Sequence, residues 1–130
     1  MTTMKTIYLC RDQQAGTDSR AADLEMAGYH VEVFETGGDL VRALSQEYPD
    51  LVLMDVLLDG KDGFEVCESL DLKRNARLKV ALFAGVYTRP AFRDLASGLG
   101  VAEFVEGTLD RGELLALVHR VTRDRHAGAA

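Results

Sequence analysis

The sequence has few cysteines and histidines, and it has fewer basic than acidic residues. It has two cysteines, Cys10 and Cys67, which form no CxxC pair, and three histidines without metal-ligand spacing. No disulfide framework is visible, and because both cysteines lie among apolar residues, we predict buried, reduced thiols. The 21 acidic residues outnumber the 15 basic ones and give a net charge of −6, which argues against nonspecific binding to nucleic acid or an anionic membrane.

Long apolar runs and linkers are also missing. The stretch MTTMKTIYLC has no long apolar run behind a basic start, so we predict neither a signal peptide nor a membrane span, and we expect a cytoplasmic protein. The 130 residues predict one domain, with a core over about 5–124 and a frayed tail over 125–130. No GxGxxG or GxxxxGK[ST] motif follows a strand, which makes a small-nucleotide or flavin binder the weakest functional hypothesis.

The sequence does contain a regular alternation of strand and helix patterns. Short β-rich runs predict strands at 6–10, 28–35, 51–55, 78–85 and 102–107. Helical patterns follow them at about 14–27, 37–48, 64–70, 89–99 and 111–124, with Thr88 as a candidate cap and Asp110 and Glu113 as a capping-box-like start. The third and fourth strands are apolar on both faces, as in a parallel sheet covered by helices. The alternation therefore predicts an α/β fold with helices on both faces of a parallel sheet.

Two carboxylates stand where such sheets bind ligands. Asp12 follows the first predicted strand, and Asp55 ends the third. In a flavodoxin-like, doubly wound, five-stranded sheet with strand order 2-1-3-4-5, these strands are neighbours at the topological switch point. We therefore predict this fold, with five helices, and expect the two carboxylates to face each other.

The stretch LVLMDVLLDGKDGFEV, residues 51–66, together with this element order, resembles the receiver domains of response regulators in two-component signalling. The resemblance extends over nearly the whole chain. It implies that Asp55 accepts a phosphoryl group from a histidine kinase, and that Asp12, Asp55 and the backbone carbonyl of Leu57 hold Mg²⁺. In the family, a hydroxyl residue ending the fourth strand and a lysine ending the fifth hold the phosphoryl oxygens.

This sequence carries other residues at several positions of the family's pattern, including Asp59 where the family usually has a proline. Arg11 stands where the family has the first acid of a pair, Ala84 where it has the hydroxyl, and Gly107 where it has the lysine, whereas Phe104 keeps the switch aromatic. Because a guanidinium repels Mg²⁺, we predict weak or absent metal binding, and we expect Arg11 to pair with one of the two remaining carboxylates. Asp59 is either a solvated loop residue or a replacement metal ligand. Either Thr88 or Thr108 is a candidate replacement hydroxyl.

Two functional hypotheses follow from this resemblance. In the first, the chain is an atypical receiver that acts through contacts with a histidine kinase or a downstream signalling protein, without nucleic acid or membrane binding. In the second, a histidine kinase phosphorylates Asp55 in a Mg²⁺-dependent reaction. We then expect at most one enzymatic activity, the self-catalysed transfer of a phosphoryl group to Asp55. The family's usual partner surface, built from the fourth helix, fifth strand and fifth helix, would here offer Arg93, Glu106 and Arg111, and it is also a candidate homodimer surface.

Overall fold

The computed structural model of the chain describes residues 4–12, 18–86 and 89–127. Five parallel strands form one sheet in the order β2-β1-β3-β4-β5. The strands are β1 (Thr6–Cys10), β2 (His30–Phe34), β3 (Leu51–Asp55), β4 (Val80–Gly85) and β5 (Glu103–Glu106). The helices are α1 (Arg20–Met26), α2 (Gly37–Leu44), α3 (Gly63–Leu70), α4 (Pro90–Leu99) and α5 (Arg111–Ala127). The predicted flavodoxin-like sheet with five helices is confirmed.

Two apolar layers cover the sheet, and strand parity decides which residues enter each layer. On one side, the odd-numbered residues of β1 and β3 pack with α1 and α5 (Ile7, Leu9, Leu51, Leu53, Leu24, Leu114, Val118). On the other side, the even-numbered residues pack with α2, α3 and α4 (Tyr8, Cys10, Val52, Met54, Leu40, Val66, Ala96). Asp55 has the parity of Leu53. Its side chain is therefore directed toward the layer that contains α1 and α5.

Capping boxes fix the starts of two helices. At α3, the Asp62 carboxylate accepts the Glu65 N–H at 2.8 Å, and the Glu65 carboxylate accepts the Asp62 N–H at 3.2 Å. At α5, Asp110 and Glu113 exchange the same two bonds at 2.8 and 2.9 Å, as the sequence predicted. Each exchange satisfies backbone donors that have no partner inside the helix.

Several predicted helix limits differ from the structure, and α2 ends at Leu44 instead of at residue 48. Helix α1 begins at Arg20 instead of near Gln14, because the Asp18 carboxylate accepts the Arg20 N–H at 3.0 Å and holds residues 18 and 19 outside the helix. Gln14 and Thr88 lie outside the described residues, and α4 begins at Pro90, a favoured first helical residue. Helix α5 continues to Ala127, which is three residues past the predicted end of the core.

The structure also tests the expectations about thiols and membranes. Cys10 and Cys67 are buried and free, as predicted. Burial raises the pKa of each thiol to about 12, with smaller contributions from nearby carboxylates. In the part of the chain that the structure describes, no helix has the length and apolar character needed to cross a bilayer.

Candidate functional site

Asp55 is the last residue of β3 and lies where the carboxyl ends of β1, β3 and β4 meet, at one edge of the sheet. In the strand register, Met54 lies opposite Cys10 of β1, and Asp55 lies opposite Phe83 of β4. Arg11 and Asp12 directly follow β1, which is the neighbour of β3 in the sheet. They therefore lie at the same end of the sheet as Asp55. The Asp55 side chain is 19% exposed, which leaves it partly open to solvent.

Arg20, the first residue of α1, binds the Asp55 carboxylate through both of its oxygens. Its Nη1 donates to Oδ1 at 2.8 Å, and its Nη2 donates to Oδ2 at 3.0 Å. The Nε of the same guanidinium lies 3.0 Å from both oxygens of the Asp18 carboxylate. The guanidinium carbon also lies 5.2 Å from the centre of the Phe83 ring. Two carboxylates and an aromatic face therefore hold one planar cation, an arrangement that suits the arginine fork.

The pKa values in this cluster favour full ionisation of Asp18 and Arg20. Burial acts to raise the pKa of the Asp18 carboxyl, but the hydrogen bonds and charge of Arg20, with a contribution from Arg11, hold it below its usual value. Burial likewise acts to lower the pKa of Arg20, yet its bonds to Asp18 and Asp55 raise that pKa above the usual value. The pair of Asp18 and Arg20 consequently adds no net charge to the edge of the sheet.

The sequence predicted that Arg11 pairs with Asp55 or Asp12, but the cation on Asp55 is Arg20. Arg11 does not make this pair: its Nη1 lies 3.6 Å from the Asp18 carboxylate and donates to the Asp18 carbonyl at 3.4 Å. The predicted start of α1 near Gln14 placed Arg20 inside the helix and concealed its role. A predicted start at Arg20 would have been informative, because the helix dipole disfavours a cation in the first turn and an arginine there suggests a specific partner.

The arrangement does not fit Mg²⁺ as the resemblance implied. A magnesium site needs oxygen ligands in octahedral geometry, but both oxygens of Asp55 accept N–H bonds from Arg20. Among the described residues, no group of three or more His, Cys, Asp or Glu side chains is placed to hold a metal ion. Leu57, the predicted carbonyl ligand, lies in the loop after β3 with its side chain 48% exposed. Asp59 is exposed in the same loop.

Neither of the two substituted positions at the ends of β4 and β5 offers a side-chain donor. Ala84 is buried, and the β4–β5 register shifts where it lies, between Phe83 and Gly85. Gly107 follows β5 with a φ of 75°, and its N–H donates to the Gly85 carbonyl at 2.8 Å. A methyl group and a hydrogen atom thus occupy the positions expected for a hydroxyl and an ammonium group. Thr108 is exposed, next to Gly107.

Phe104 of β5 is partly buried among other aromatic rings. Its ring stacks on Phe64 of α3 with 6.2 Å between centroids, and Phe64 in turn lies 5.3 Å from Phe92 of α4. The Arg93 guanidinium lies over the Phe104 ring at 5.5 Å and pairs with Glu106. These contacts tie Phe104 to α3 and α4.

The surface formed by α4, β5 and α5 carries charges that largely neutralise one another. In addition to the pair of Arg93 and Glu106, Arg120 pairs with Glu103 at 3.0 Å. Arg111 is exposed at the start of α5. Because paired charges give little net field, this surface has no strong electrostatic preference for one class of partner.

Comparison with known proteins identifies the family. The family model of the response regulator receiver domain matches residues 7–119. The transcriptional regulatory protein CreB of Escherichia coli K12 is 30% identical over 119 residues, which cover 92% of this chain and 51% of CreB. The chain therefore spans about half the length of this curated relative.

Solved structures agree on the fold. A CheY-like receiver domain protein from Methanospirillum hungatei JF-1 is 23% identical with a TM-score of 0.87, covering 97% of this chain and 99% of that one. The signal receiver domain of a histidine kinase from Syntrophus aciditrophicus is 26% identical with a TM-score of 0.78, covering 92% and 90%. With its strand order, its carboxylate at the end of β3 and these matches, the chain belongs to the response regulator receiver domains of two-component signalling.

Proposed function

We propose that this chain is an atypical receiver, which acts through protein–protein contacts and does not depend on phosphorylation of Asp55. The observation that carries the proposal is the two-bond contact between Arg20 and Asp55. A carboxylate must direct an oxygen lone pair at phosphorus to accept a phosphoryl group. Here both oxygens already accept charge-assisted hydrogen bonds, which lowers their nucleophilicity.

The fixed cation also opposes metal binding. Receiver domains commonly bind Mg²⁺ beside the phosphoacceptor, but here the Arg20 guanidinium occupies the Asp55 oxygens. Two unit charges at 4 Å interact by about 4 kcal/mol at an effective dielectric constant of 20, and a divalent ion near Arg20 meets about twice that repulsion, which the Asp18 carboxylate partly offsets. We therefore propose that Mg²⁺ binds weakly or not at all while Arg20 is in place.

A phosphoryl group on Asp55 would also have few ways to change the rest of the domain. Ala84 and Gly107 supply no side-chain donor to its oxygens, and Phe104 already packs against Phe64 beneath Arg93. An added group shifts a conformational equilibrium only if it interacts differently with the two states. This site offers little such difference, which supports a role based on a constant contact surface.

The alternative is a phosphoacceptor receiver that is modified on Asp55 in a Mg²⁺-dependent reaction. One observation favours it, because an arginine fork binds phosphoryl oxygens as well as carboxylate oxygens. In that case Arg20 would leave the carboxylate and bind the transferred group. The partly exposed Asp55 side chain provides access for a donor.

Intact-mass measurement after incubation with acetyl phosphate separates the two functions. We expect no phosphoryl adduct on the wild-type chain, with or without Mg²⁺. Arg20→Met keeps the side-chain length and removes the fork, so it should allow some modification, whereas Arg93→Met serves as a matched control and should not. A wild-type adduct that requires Mg²⁺ and disappears in Asp55→Asn would overturn the proposal in favour of the alternative.

A further inference from the structure

A groove of about 360 Å³ lies between α3 and α4, close to the candidate site. Val56 and Leu57, the two residues that follow Asp55, line one end of it. The remaining lining residues belong to the two helices and to the cap of α3 (Asp62, Phe64, Glu65, Glu68, Phe92, Leu95, Leu99). A groove of this volume is large enough to receive side chains of another molecule.

The α4 side of the groove is apolar and accessible. Phe92, Leu95 and Leu99 recur at helical spacing, which places them on one face of α4. Leu95 is 46% exposed and Leu57 is 48% exposed, so two large apolar side chains meet solvent at the same groove. Clustered apolar exposure of this kind indicates a contact surface.

The α3 side of the groove is acidic. Asp62, Glu65 and Glu68 line it, and neither lysine nor arginine is among the lining residues. None of the three carboxylates forms an ion pair with another described residue. Asp62 and Glu65 accept backbone N–H bonds in the capping box of α3, but no cationic side chain of the described residues pairs with this side, in contrast to the paired charges on the surface formed by α4, β5 and α5.

We propose that this groove binds a cationic amphipathic helix of a partner protein. The partner's apolar face would pack on α4, and its lysine or arginine side chains would face Glu65 and Glu68. Charge complementarity selects this occupant, because a cationic helix would supply the ion-pair partners that the α3 carboxylates lack within the described part of the chain, whereas an acidic helix would add like charge. The inference rests on the proposed function in protein contact and adds the location and chemistry of the partner.

A synthetic peptide of about 16 residues, long enough for appreciable helix, tests this directly. The probe has leucine on one face and lysine on the other; its control has the same leucine face and glutamate in place of lysine. We expect the lysine peptide to bind the full chain in fluorescence anisotropy and the glutamate peptide not to bind. Added salt should weaken binding because it screens the exposed charges.

Substitutions in the groove and on α1 test where the peptide binds. Leu95→Ser removes apolar contact and should weaken binding about tenfold, and Glu68→Lys should weaken it about fivefold. Met26→Ser and Glu25→Lys on exposed positions of α1 are the matched controls and should leave binding unchanged. Circular dichroism spectra identify any variant that fails to fold.

Several results would overturn the inference. The inference fails if the lysine peptide does not bind, or if both peptides bind equally. It also fails if the groove substitutions and the control substitutions have equal effects in folded variants. Self-association that Leu95→Ser abolishes would assign the groove to a second copy of the chain instead. The peptide assay is independent of the Asp55 adduct measured by mass, so failure of this inference and failure of the proposed function can be told apart.

Discussion

Arg20 and Asp55 are joined by two N–H···O bonds of 2.8 and 3.0 Å, although they are 35 positions apart in the chain. Strand parity directs Asp55 toward the layer of α1 and α5, and Arg20 is the first residue of α1. Asp18 fixes the guanidinium from its other side. The Arg20 side chain thereby places a positive charge directly on Asp55, at the site where receiver domains commonly bind Mg²⁺.

A double-mutant cycle should detect this pair energetically. Arg20→Met, Asp55→Ala and the double variant, compared by urea unfolding, are expected to give a coupling energy of about 1–2 kcal/mol, because the bonds are charge-assisted and each side chain is only 19% exposed. The pair of Arg120 and Glu103 is a matched control. It is similar in length but more exposed, and its coupling should be below about 0.5 kcal/mol. Equal couplings for the two pairs would contradict the special position of Arg20.

Gly63 should tolerate no side chain. A Cβ at this position would lie 2.6 Å from the Asp55 carbonyl oxygen and 3.0 Å from Leu82 Cδ2. We expect Gly63→Ala to lower the free energy of unfolding by about 1–3 kcal/mol, because α3 must move away from the end of β3. Gly98→Ala in α4 is the control, since nothing lies within 4 Å of its Cβ, and it should raise stability by roughly 0.5–1 kcal/mol. A neutral Gly63→Ala would show that α3 shifts without cost.

The lowered pKa of Asp18 predicts a stability change in acid. A carboxyl group with a depressed native pKa contributes stability above its unfolded value of about 3.9, and that contribution is lost as the pH falls through the native pKa. Urea unfolding of the wild-type chain at neutral and acidic pH should show this loss. Asp18→Asn should be less stable at neutral pH and should lose less on acidification. An unchanged pH dependence in that variant would refute the assignment.

The two cysteines should resist modification in the folded chain. Burial raises the pKa of both thiols to about 12, so the reactive thiolate is scarce near neutral pH and the sulfur atoms are shielded. An aromatic disulfide reagent, followed by absorbance, should react with both thiols in denaturant and only slowly without it. Fast reaction of the native chain would contradict the burial of Cys10 or Cys67. Cys10→Ser and Cys67→Ser would then identify the reactive residue.

Most of the fold was predictable because hydrophobic periodicity is local. The continuous apolar runs of β1 and β3, and the helical stripe that includes Phe64 and Cys67, identify strands and helices without any long-range information. The capping pair of Asp110 and Glu113 is equally local, since three positions separate the partners. Features of this kind depend on a few neighbouring residues and can be identified by inspection.

The contacts of Asp55 were less predictable because they depend on where α1 begins. Periodicity located this helix but not its first residue, and the side chain of Asp18 decides the first residue through a bond to the Arg20 N–H. A shift of a few residues changes which cation reaches the edge of the sheet. The sequence therefore predicted Arg11 as the partner of Asp55 or Asp12, whereas in the structure Arg20 binds Asp55 and Arg11 lies near Asp18.

The left-handed backbone at Gly107 limits which residues can replace it. A lysine in that conformation would be strained by roughly 1 kcal/mol or more, because its Cβ would crowd the neighbouring carbonyl oxygen. A Gly107→Lys substitution would thus add an ammonium group only with a strained turn after β5. An ammonium group placed at the end of β5 without this strain would therefore require the turn after β5 to rearrange together with the side chain.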